Sequence, residues 1–347
     1  MERTHRTFVF PTRNMFKQPL TYLATFFTIL ALSGCGATSS SPAKTTSTRS
    51  PSSTTPTSVP SSTTTSKPTT AVTAQPGPKH PHVFVIIMEN LGYRAAMATP
   101  QLSSLAHSWA YATNYYATTH PSLPNYLSLI GGSTFGISSD CVSCFVNSAN
   151  LPTELSQKGV SWAAYMESIP NSCYLSPYAP SGLYAGKHDP FVYFENIRTS
   201  TSLCANIKPL SELTSQLGSS SAKLASFVWI TPNICNDGHN CPASTAASWL
   251  QNMVSQITSS SAWKDNGALY ITWDEGNGGD NRGLSSSGAI TSSGGGHVLT
   301  LVIEPGLSRG TVLSQPMDHY SLLKTIEDNF GVPQLGLSAN QRLSSLP

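Results

Sequence analysis

The sequence is poor in charged side chains, which make up only 10% of its 347 residues. A globular protein usually carries more than twice that fraction. Coiled coils and basic nucleic-acid-binding proteins both depend on dense charge, so neither class fits this chain. Motifs that would reveal a common cofactor are missing as well. The sequence contains no phosphate-binding loop, HExxH motif, EF-hand loop or dinucleotide fingerprint, and no internal repeat.

The few charges are unevenly distributed along the chain. Residues 1–34 carry a net charge of +3, and residues 36–80 carry +4 with no acidic side chain. The remaining part, 81–347, has 11 basic and 16 acidic side chains and therefore a net charge of −5. This part offers no evident nucleic-acid-binding surface, whereas carboxylates concentrated at a cation site would suit its charge.

The segment 1–34 has the features of an export signal: a basic stretch, an apolar run at 20–32 and then small residues. The apolar run is too short to span a membrane comfortably. Residues 32–35, LSGC, resemble the lipobox of bacterial lipoproteins, whose Cys is lipidated after cleavage. We therefore expect export, lipidation of Cys35 and anchoring by lipid alone to the outer face of a bacterial membrane. The alternative is an ordinary secretory signal with an incidental Cys.

The segment that follows is almost entirely Ser, Thr, Pro, Ala and Lys from 37 to 79. This composition cannot bury enough apolar surface to offset the entropy of the chain. We predict that 35–80 comprises the lipidated Cys35 and a disordered tether, and that 81–347 is one folded domain. The six cysteines of that domain predict three disulfides, with a local pair possible between Cys235 and Cys241. A redox or zinc pair at CxxC (141–144) is the alternative.

Buried-strand patterns alternate with helical patterns through the predicted domain. Continuous apolar runs occur at 82–88, 160–166, 225–230, 267–273 and 298–303. Helical patterns lie at 100–109, 123–130, 210–217, 245–257 and 321–330. The alternation predicts an α/β fold with a mainly parallel central sheet and helices on both faces.

Polar side chains lie at the ends of these strands, where ligands bind in such sheets. They are Glu89, Asn90, Asn233, Asp237, His239, Asp274, Glu275 and His297. Carboxylates and imidazoles gathered at one sheet edge would destabilise one another unless a divalent cation lay between them. The pattern therefore predicts a site for one or two divalent metal ions.

The segment 120–126, HPSLPNY, leads from a loop into a predicted helix that starts close to Ser122. At that position a hydroxyl lies at the positive end of the helix dipole, near backbone N–H groups. This suits a nucleophile that attacks phosphorus, and a cation could lower the pKa of the hydroxyl. The alternative is that Ser122 merely caps the helix.

The pattern Ser-Leu-Pro-Asn resembles the nucleophile motif Thr-aromatic-Pro-Asn of one branch of the alkaline phosphatase superfamily, the nucleotide pyrophosphatases/phosphodiesterases. As a set, VFVIIMEN, THPSLPNYLSLIGGST, KHDPFVYF, PNICNDGHNCP, ITWDEG, GHVLTLVIEPG and DHYSLLKTIEDNFG resemble the phosphoesterase family of that superfamily. The family contains bacterial acid phosphatases and phospholipases C. The resemblance covers about residues 82–334 and implies an alkaline-phosphatase-like fold.

The resemblance implies a role for each matching residue. Ser122 takes the place of the nucleophile, Asn125 that of a donor to the phosphoryl oxygen, and His188 that of an imidazole that binds phosphate or protonates the leaving group. The implied metal ligands are Glu89, Asp237, His239, Asp274, Glu275 and His297, and the expected substrate contacts are Asn90, His120 and His319. The spacing leaves open whether Asn233 or Asp237 is the ligand, and Glu275 in place of His leaves open one metal or two.

The sequence thus predicts a metal-dependent phosphate ester hydrolase that works through a phosphoseryl intermediate, most simply a phosphomonoesterase of the acid phosphatase type. A phospholipase C or another phosphodiesterase is the alternative within this class. A surface-binding lipoprotein that keeps the fold without the chemistry is the rival from another class. The only partners expected are the phosphate ester and, through the lipid, the membrane.

A second serine also matches a hydrolase motif, the nucleophile elbow GLSRG at 306–310, with Asp318 and His319 following in order. The elbow requires a helix directly after its serine. The next segment, TVLSQP, is β-prone and ends in Pro, and adjacent Asp and His could not readily take triad geometry. We therefore interpret the elbow as a chance match and Asp318 as a structural helix cap.

Overall fold

The computed structural model describes residues 77–219, 224–340 and 342–347. The predicted signal segment, Cys35 and the tether up to residue 76 lie outside the described residues. Lys79 and His80, which the tether prediction includes, already contact the folded domain. Lys79 Nζ lies 3.3 Å from Glu304 Oε2, and the His80 N–H donates to Asn329 Oδ1 at 2.8 Å. The folded domain therefore begins before the predicted boundary at 81.

A nine-stranded sheet forms the centre of the described domain. Its strands are β1 (Val83–Met88), β2 (Ala110–Tyr116), β3 (Trp162–Met166), β4 (Ile207–Pro209), β5 (Phe227–Thr231), β6 (Ala268–Trp273), β9 (His297–Ile303), β10 (Val312–Leu313) and β11 (Met317–Asp318). Two short strands, β7 (Gly283–Leu284) and β8 (Ile290–Thr291), pair separately. The order is β10-β2-β9-β6-β1-β5-β3-β4, and β11 also pairs with β2.

The sheet is mainly parallel, which confirms the predicted fold class. Only β9, among the strands of this described sheet, runs antiparallel to its neighbours β6 and β2. The five predicted strands match β1, β3, β5, β6 and β9, because each is an apolar run buried along almost its whole length. The prediction missed β2, whose sequence AYATNYY interrupts the apolar pattern with Thr113 and Asn114.

The five predicted helices are also present. They are α2 (Pro100–Ser108), α3 (Ser122–Gly131), α7 (Leu210–Leu217), α8 (Ala243–Ser259) and α10 (His319–Phe330). Shorter helices are α1 (Tyr93–Ala98), α4 (Leu151–Gln157), α5 (Glu195–Arg198), α6 (Thr201–Cys204) and α9 (Ser261–Lys264). The α8 helix packs against α2 and α7, and α3 packs against α4 and α10. None of the helices in the described ranges has the length and hydrophobicity that a membrane crossing requires.

All six cysteines of the domain form disulfides, which confirms that prediction. The pairs are Cys141–Cys144, Cys173–Cys204 and Cys235–Cys241. The CxxC pair is therefore a disulfide in this structure rather than a zinc site. The Cys235–Cys241 bond closes the short loop that carries Asp237 and His239, so it restricts where these two side chains can lie.

Candidate active site

The pairing of β1 with β6 places two acidic residues side by side at the carboxyl edge of the sheet. Met88 and Trp273 are partners in the register, and each is followed at once by a carboxylate, Glu89 or Asp274. The Asp274 N–H donates to the Met88 carbonyl at 2.9 Å, and the Asn90 N–H donates to Asp274 Oδ1 at 3.2 Å. Backbone hydrogen bonds therefore hold the two carboxylates at neighbouring positions.

Ser122 is the first residue of α3 and reaches the same edge of the sheet. Its hydroxyl donates to Glu89 Oε2 at 3.2 Å, and the Tyr126 hydroxyl donates to Glu89 Oε1 at 2.7 Å. The Ser122 hydroxyl is also near enough to Asp274 to lower the pKa of that carboxyl against the larger effect of burial, which raises it. The structure thus brings Glu89, Ser122 and Asp274 together, and Ser122 and both carboxylates are buried.

Asn125 holds the loop in front of Ser122. Its Oδ1 accepts from the N–H groups of Thr118 and Thr119, both at 3.0 Å. Its amide donates to the carbonyls of Thr119 at 2.7 Å and Pro121 at 3.0 Å. The expectation that Asn125 donates to a phosphoryl oxygen is corrected here, because both amide hydrogens are taken by the backbone. Asn125 instead positions the loop that precedes Ser122.

A second group of candidate ligands lies on the other side of Glu89. His188 is only 2% exposed, with Nε2 3.2 Å from Glu89 Oε1 and Nδ1 3.3 Å from Asp237 Oδ2. Its ring stacks on Tyr126 at a centroid distance of 5.4 Å. The exposed His239 completes a cluster in which Glu89, His188 and His239 offer ligand atoms within 4.8 Å of one another. Because His188 is enclosed, its predicted role as proton donor to a leaving group does not fit its position.

The electrostatics of the buried carboxylates favour a bound cation. Burial raises the pKa of Glu89 well above its ordinary value, and the charges of Asp274 and Asp237 raise it further. Burial likewise raises the pKa of Asp237 and of Asp274, and Glu275 adds to the rise at Asp274. Burial lowers the pKa of His188 well below its ordinary value, so this imidazole is neutral.

Several atoms of this site lack a hydrogen-bond partner among the described residues. They are Asp274 Oδ2, Asp237 Oδ2 and both ring nitrogens of His188. Buried polar atoms are nearly always satisfied in native proteins. Carboxylate oxygens and neutral imidazole nitrogens are the donors that divalent metal ions take. The residues present therefore fit the predicted metal.

Glu275 and His120 form an ion pair beside this site rather than a free metal ligand and a free substrate contact. His120 Nδ1 is bonded to Glu275 Oε2, and His120 Nε2 lies 3.0 Å from the carbonyl of Asp280. Both partners are acceptors, so both ring nitrogens carry protons. The hydrogen bond to Glu275 raises the pKa of His120 to about 9, which keeps the imidazolium charge near neutral pH.

His319, a predicted substrate contact, has a structural role instead, and so does its neighbour Asp318. His319 is fully buried, and its Nε2 lies 2.6 Å from the Asp274 carbonyl while Nδ1 lies 3.3 Å from the Tyr115 hydroxyl. It supports the backbone of Asp274 and has no open path to a substrate, which corrects the predicted contact. Asp318, as predicted, caps α10 by accepting from the Ser321 N–H at 3.0 Å.

His297, a predicted metal ligand, lies in an aromatic stack away from the carboxylates. Its ring centroid is 4.3 Å from that of Tyr93 and 5.1 Å from that of Tyr116. Its Nε2 lies 2.8 Å from the carbonyl of Thr113. The pairing of His297 with Tyr116 in the sheet directs it to this stack, so the structure does not bring it to the metal cluster.

The geometry decides between Asn233 and Asp237. Asn233 forms a turn in which its Oδ1 accepts from the N–H groups of Cys235 at 3.1 Å and Asn236 at 3.0 Å. Its Nδ2 donates to Ser168 Oγ at 3.1 Å. Asp237 instead directs Oδ2 toward His188. Asp237 is therefore the candidate ligand.

Sequence reasoning missed three side chains of the site: Tyr126, Asp140 and Lys187. Tyr126 bonds Glu89, as described above. Lys187 Nζ donates to Asp140 Oδ2 at 2.8 Å and lies 3.3 Å from His239 Nε2. Burial alone would lower the pKa of Lys187, but the bond to Asp140 raises it above its ordinary value, so the ammonium is charged. Tyr126 and Lys187 do lie within segments that carry the family resemblance, HPSLPNY and KHDP, which was the available signal.

The nucleophile-elbow motif at 306–310 lacks the structure that a serine hydrolase requires. Ser308 lies in turns between β9 and β10, and the element that follows it is a strand rather than a helix. His319, which would complete its triad, is buried against Asp274.

The model of the phosphoesterase family matches residues 61–333 of this chain. The chain belongs to the phosphoesterase family. A probable acid phosphatase of Kluyveromyces lactis is 31% identical over 73% of this chain and 59% of its own length. An acid phosphatase of Aspergillus fumigatus is 27% identical over 78% of this chain and 59% of its own length. This phosphoesterase chain thus spans about three fifths of the length of these fungal relatives.

A bacterial relative covers more of its own length. The phosphatidylinositol-3-phosphatase of Mycobacterium tuberculosis is 31% identical over 79% of this phosphoesterase chain and 84% of that protein. Solved structures are also similar to the chain, at low identity. A chain from work on glycosaminoglycan metabolism in Bacteroides thetaiotaomicron has a TM-score of 0.50 at 11% identity, covering 77% of this chain and 80% of that one. A protein in the alkaline phosphatase superfamily from Vibrio parahaemolyticus has a TM-score of 0.49 at 12% identity, covering 74% and 68%.

Proposed function

We propose that this protein hydrolyses phosphate esters with Ser122 as the nucleophile and a divalent metal ion as cofactor. One observation carries the proposal: the Ser122 hydroxyl starts α3 and lies 3.2 Å from Glu89, within a group of three buried carboxylates that repel one another. Membership in the phosphoesterase family supports the same chemistry.

Glu89 and Asp274 would hold a cation beside the Ser122 hydroxyl, with the Asn90 side chain adjacent. His188, Asp237 and His239 could hold a second one. When bound, a divalent cation lowers the pKa of a neighbouring hydroxyl and offsets the negative charge that grows on the phosphoryl oxygens. Asp237 Oδ2 and Asp274 Oδ2 have no hydrogen-bond partner among the described residues, and such an ion would bind to them.

The residues around Ser122 orient the hydroxyl and the loop for the reaction. Glu89 accepts the Ser122 hydrogen bond and so fixes the direction of the attacking oxygen. Asn125 holds the loop at 118–121. The Ser122 Oγ–P bond forms as the ester P–O bond on the opposite side breaks, the hydroxyl proton passes to Glu89 Oε2, and the departing alkoxide takes a proton from water. Water then attacks the phosphoserine, which releases inorganic phosphate and restores the hydroxyl.

A phosphate monoester is the substrate class that we propose. The relatives described above are named as acid phosphatases or as a phosphatidylinositol-3-phosphatase, and these names support a phosphatase. We expect the purified protein, supplied with divalent metal, to hydrolyse p-nitrophenyl phosphate with a kcat/KM at least about tenfold above that for p-nitrophenyl phosphorylcholine. Release of p-nitrophenol measures both reactions.

The reverse preference would support a phospholipase C or another phosphodiesterase. Failure to hydrolyse either ester under all metals tried would contradict the enzymatic proposal and favour a non-catalytic, surface-binding lipoprotein.

We also propose that the protein is exported and anchored through a lipid on Cys35. Three disulfides in the domain support an oxidising compartment outside the cytoplasm. In a bacterial host, the full chain should partition with membranes, and Cys35→Ala should lose both the label from radioactive palmitate and the membrane association. A variant that stays on membranes to the same extent as the parent would contradict the lipid anchor.

A further inference from the structure

The start of α3 offers fewer donors to a phosphate than a helix N-terminus usually does. The Leu123 N–H already donates to Asp140 Oδ1 at 3.0 Å, and Pro124 has no N–H. The Asp140 carboxylate interacts favourably with the positive helix end, but it repels an anion that approaches Ser122. A phosphoryl group at this helix therefore needs positive charge from another element.

Lys187 brings a positive charge to this place. Its ammonium bonds Asp140 Oδ2, so a single carboxylate joins the lysine to the backbone of the residue next to the nucleophile. An ammonium has three donors, and Asp140 takes one of them, while His239 Nε2 lies 3.3 Å away. The side chain is 21% exposed, so a further donor of the ammonium can reach a ligand from solvent.

The backbone of Lys187 is also fixed by the site. It lies in the short 3-10 turn Gly186–His188, and the next residue, His188, is enclosed between Glu89 and Asp237. The Lys187 charge is close enough to lower the pKa of Glu89 against the dominant effect of burial. The ammonium therefore lies on the solvent side of the same acidic cluster that contacts Ser122.

We propose that Lys187 binds a phosphoryl oxygen of the substrate, and that Asp140 is a positioning residue that holds the ammonium beside the start of α3. The inference rests on the proposed phosphate ester hydrolysis and adds a binding group that family resemblance did not assign. It requires no proton transfer, because the ammonium acts as a fixed charge that stabilises negative charge on the transferring group.

The Lys187–Asp140 pair differs from two lysine–carboxylate pairs whose partners are only four residues apart. Lys208–Glu212 joins β4 to α7, and Lys324–Asp328 lies within α10, where such a pair stabilises a helix only slightly. Lys187 and Asp140 are 47 residues apart and connect two segments that both reach the site. Lys208, similar in exposure at 29% and also paired with a carboxylate, is a matched control.

Lys187→Met in the full chain, supplied with metal, should lower kcat/KM for p-nitrophenyl phosphate by about 10²-fold, the effect of losing one preorganised donor. The dissociation constant for inorganic phosphate, measured by calorimetry, should rise at least about tenfold. Lys187→Arg keeps the charge and should recover most of the phosphate affinity. Lys208→Met should leave both quantities and the thermal midpoint unchanged. Phosphate binding and turnover that are unchanged in a folded Lys187→Met would overturn the inference.

Asp140→Asn tests the positioning role. Its Oδ1 can still accept from the Leu123 N–H, but the amide cannot pair with an ammonium, so the Lys187 side chain is released. We expect a loss of about tenfold in kcat/KM, smaller than that of Lys187→Met. The double variant should be no worse than Lys187→Met alone, since Asp140 acts through Lys187. If the fold-loss of kcat/KM in the double variant equals the product of the losses in the two single variants, Asp140 does not act through Lys187.

Failure of the inference can be told apart from failure of the proposed function. If the unmodified protein hydrolyses no ester, the proposed function fails, while the phosphate affinities of the same variants still test Lys187. If the unmodified protein is active and Lys187→Met matches it in both assays, the inference alone fails.

Discussion

Ser122→Ala should lower kcat/KM for p-nitrophenyl phosphate by at least about 10³-fold, because water would then have to attack phosphorus without the covalent step. The variant loses one hydrogen bond to Glu89, which is worth about 1 kcal/mol. In a domain of this size that corresponds to a thermal midpoint lower by only about 2–4 °C. Steady-state kinetics and calorimetry of the same preparation measure the two effects.

Ser128→Ala is the matched control for this result. Ser128 is also buried in α3, where its hydroxyl donates to the Pro124 carbonyl at 2.8 Å, but it does not contact the carboxylates. We expect it to change stability by a similar amount and activity by less than about twofold. Acid quenching of the unmodified enzyme during turnover should also trap a phosphoryl group on Ser122. An active Ser122→Ala, or phosphate trapped on another residue, would show that Ser122 is not the nucleophile.

Removal of divalent metal should reduce activity to background, and the addition of metal should restore it. The three buried carboxylates, Glu89, Asp237 and Asp274, have raised pKa values without a cation, so protons compete with metal for them. The dissociation constant of the metal should therefore rise as the pH falls. Metal binding should also raise the thermal midpoint by several degrees, because an ion at about 100 times its dissociation constant stabilises the folded state by about 2.7 kcal/mol.

Asp274→Asn should lose bound metal and activity together, since it removes the charge of a carboxylate whose Oδ2 has no partner among the described residues. Asp265→Asn, at an exposed position after α9, should keep both. Elemental analysis of the purified variants counts the metal per chain. Full activity after exhaustive chelation, with no metal detected, would refute the cofactor proposal.

The sequence predicted the scaffold of the site because its signals are local. An apolar run followed at once by a carboxylate places Glu89 and Asp274 at strand ends, and the register of β1 with β6 then makes them neighbours. The start of α3 was predicted to within one residue of Ser122, because Pro121 breaks the preceding segment and an apolar helical pattern follows.

The remainder of the site depends on distant contacts that no local pattern reports. The motif at His188 does not show that its ring is enclosed between two carboxylates from separate loops. His297 has a suitable residue type, but its pairing with Tyr116 in β2, a strand that the prediction missed, directs it elsewhere. Asp140 and Lys187 meet across 47 residues, so their contact could be found only in three dimensions.

The connection 276–296 leads from β6 into the antiparallel strand β9. Since β9 returns beside β6, this segment never crosses the sheet and stays at the edge that carries the candidate site, where Asp280 contacts His120 and the Gly295 N–H donates to the Ala117 carbonyl at 2.9 Å. Gly295 itself lies so close to the Thr119 carbonyl that a side chain there would collide with it. We therefore expect exchange of residues 284–292 for loops of other lengths, with Asp280 and Gly295 retained, to be a route by which selection or engineering redirects the protein toward larger alcohols without rebuilding its core.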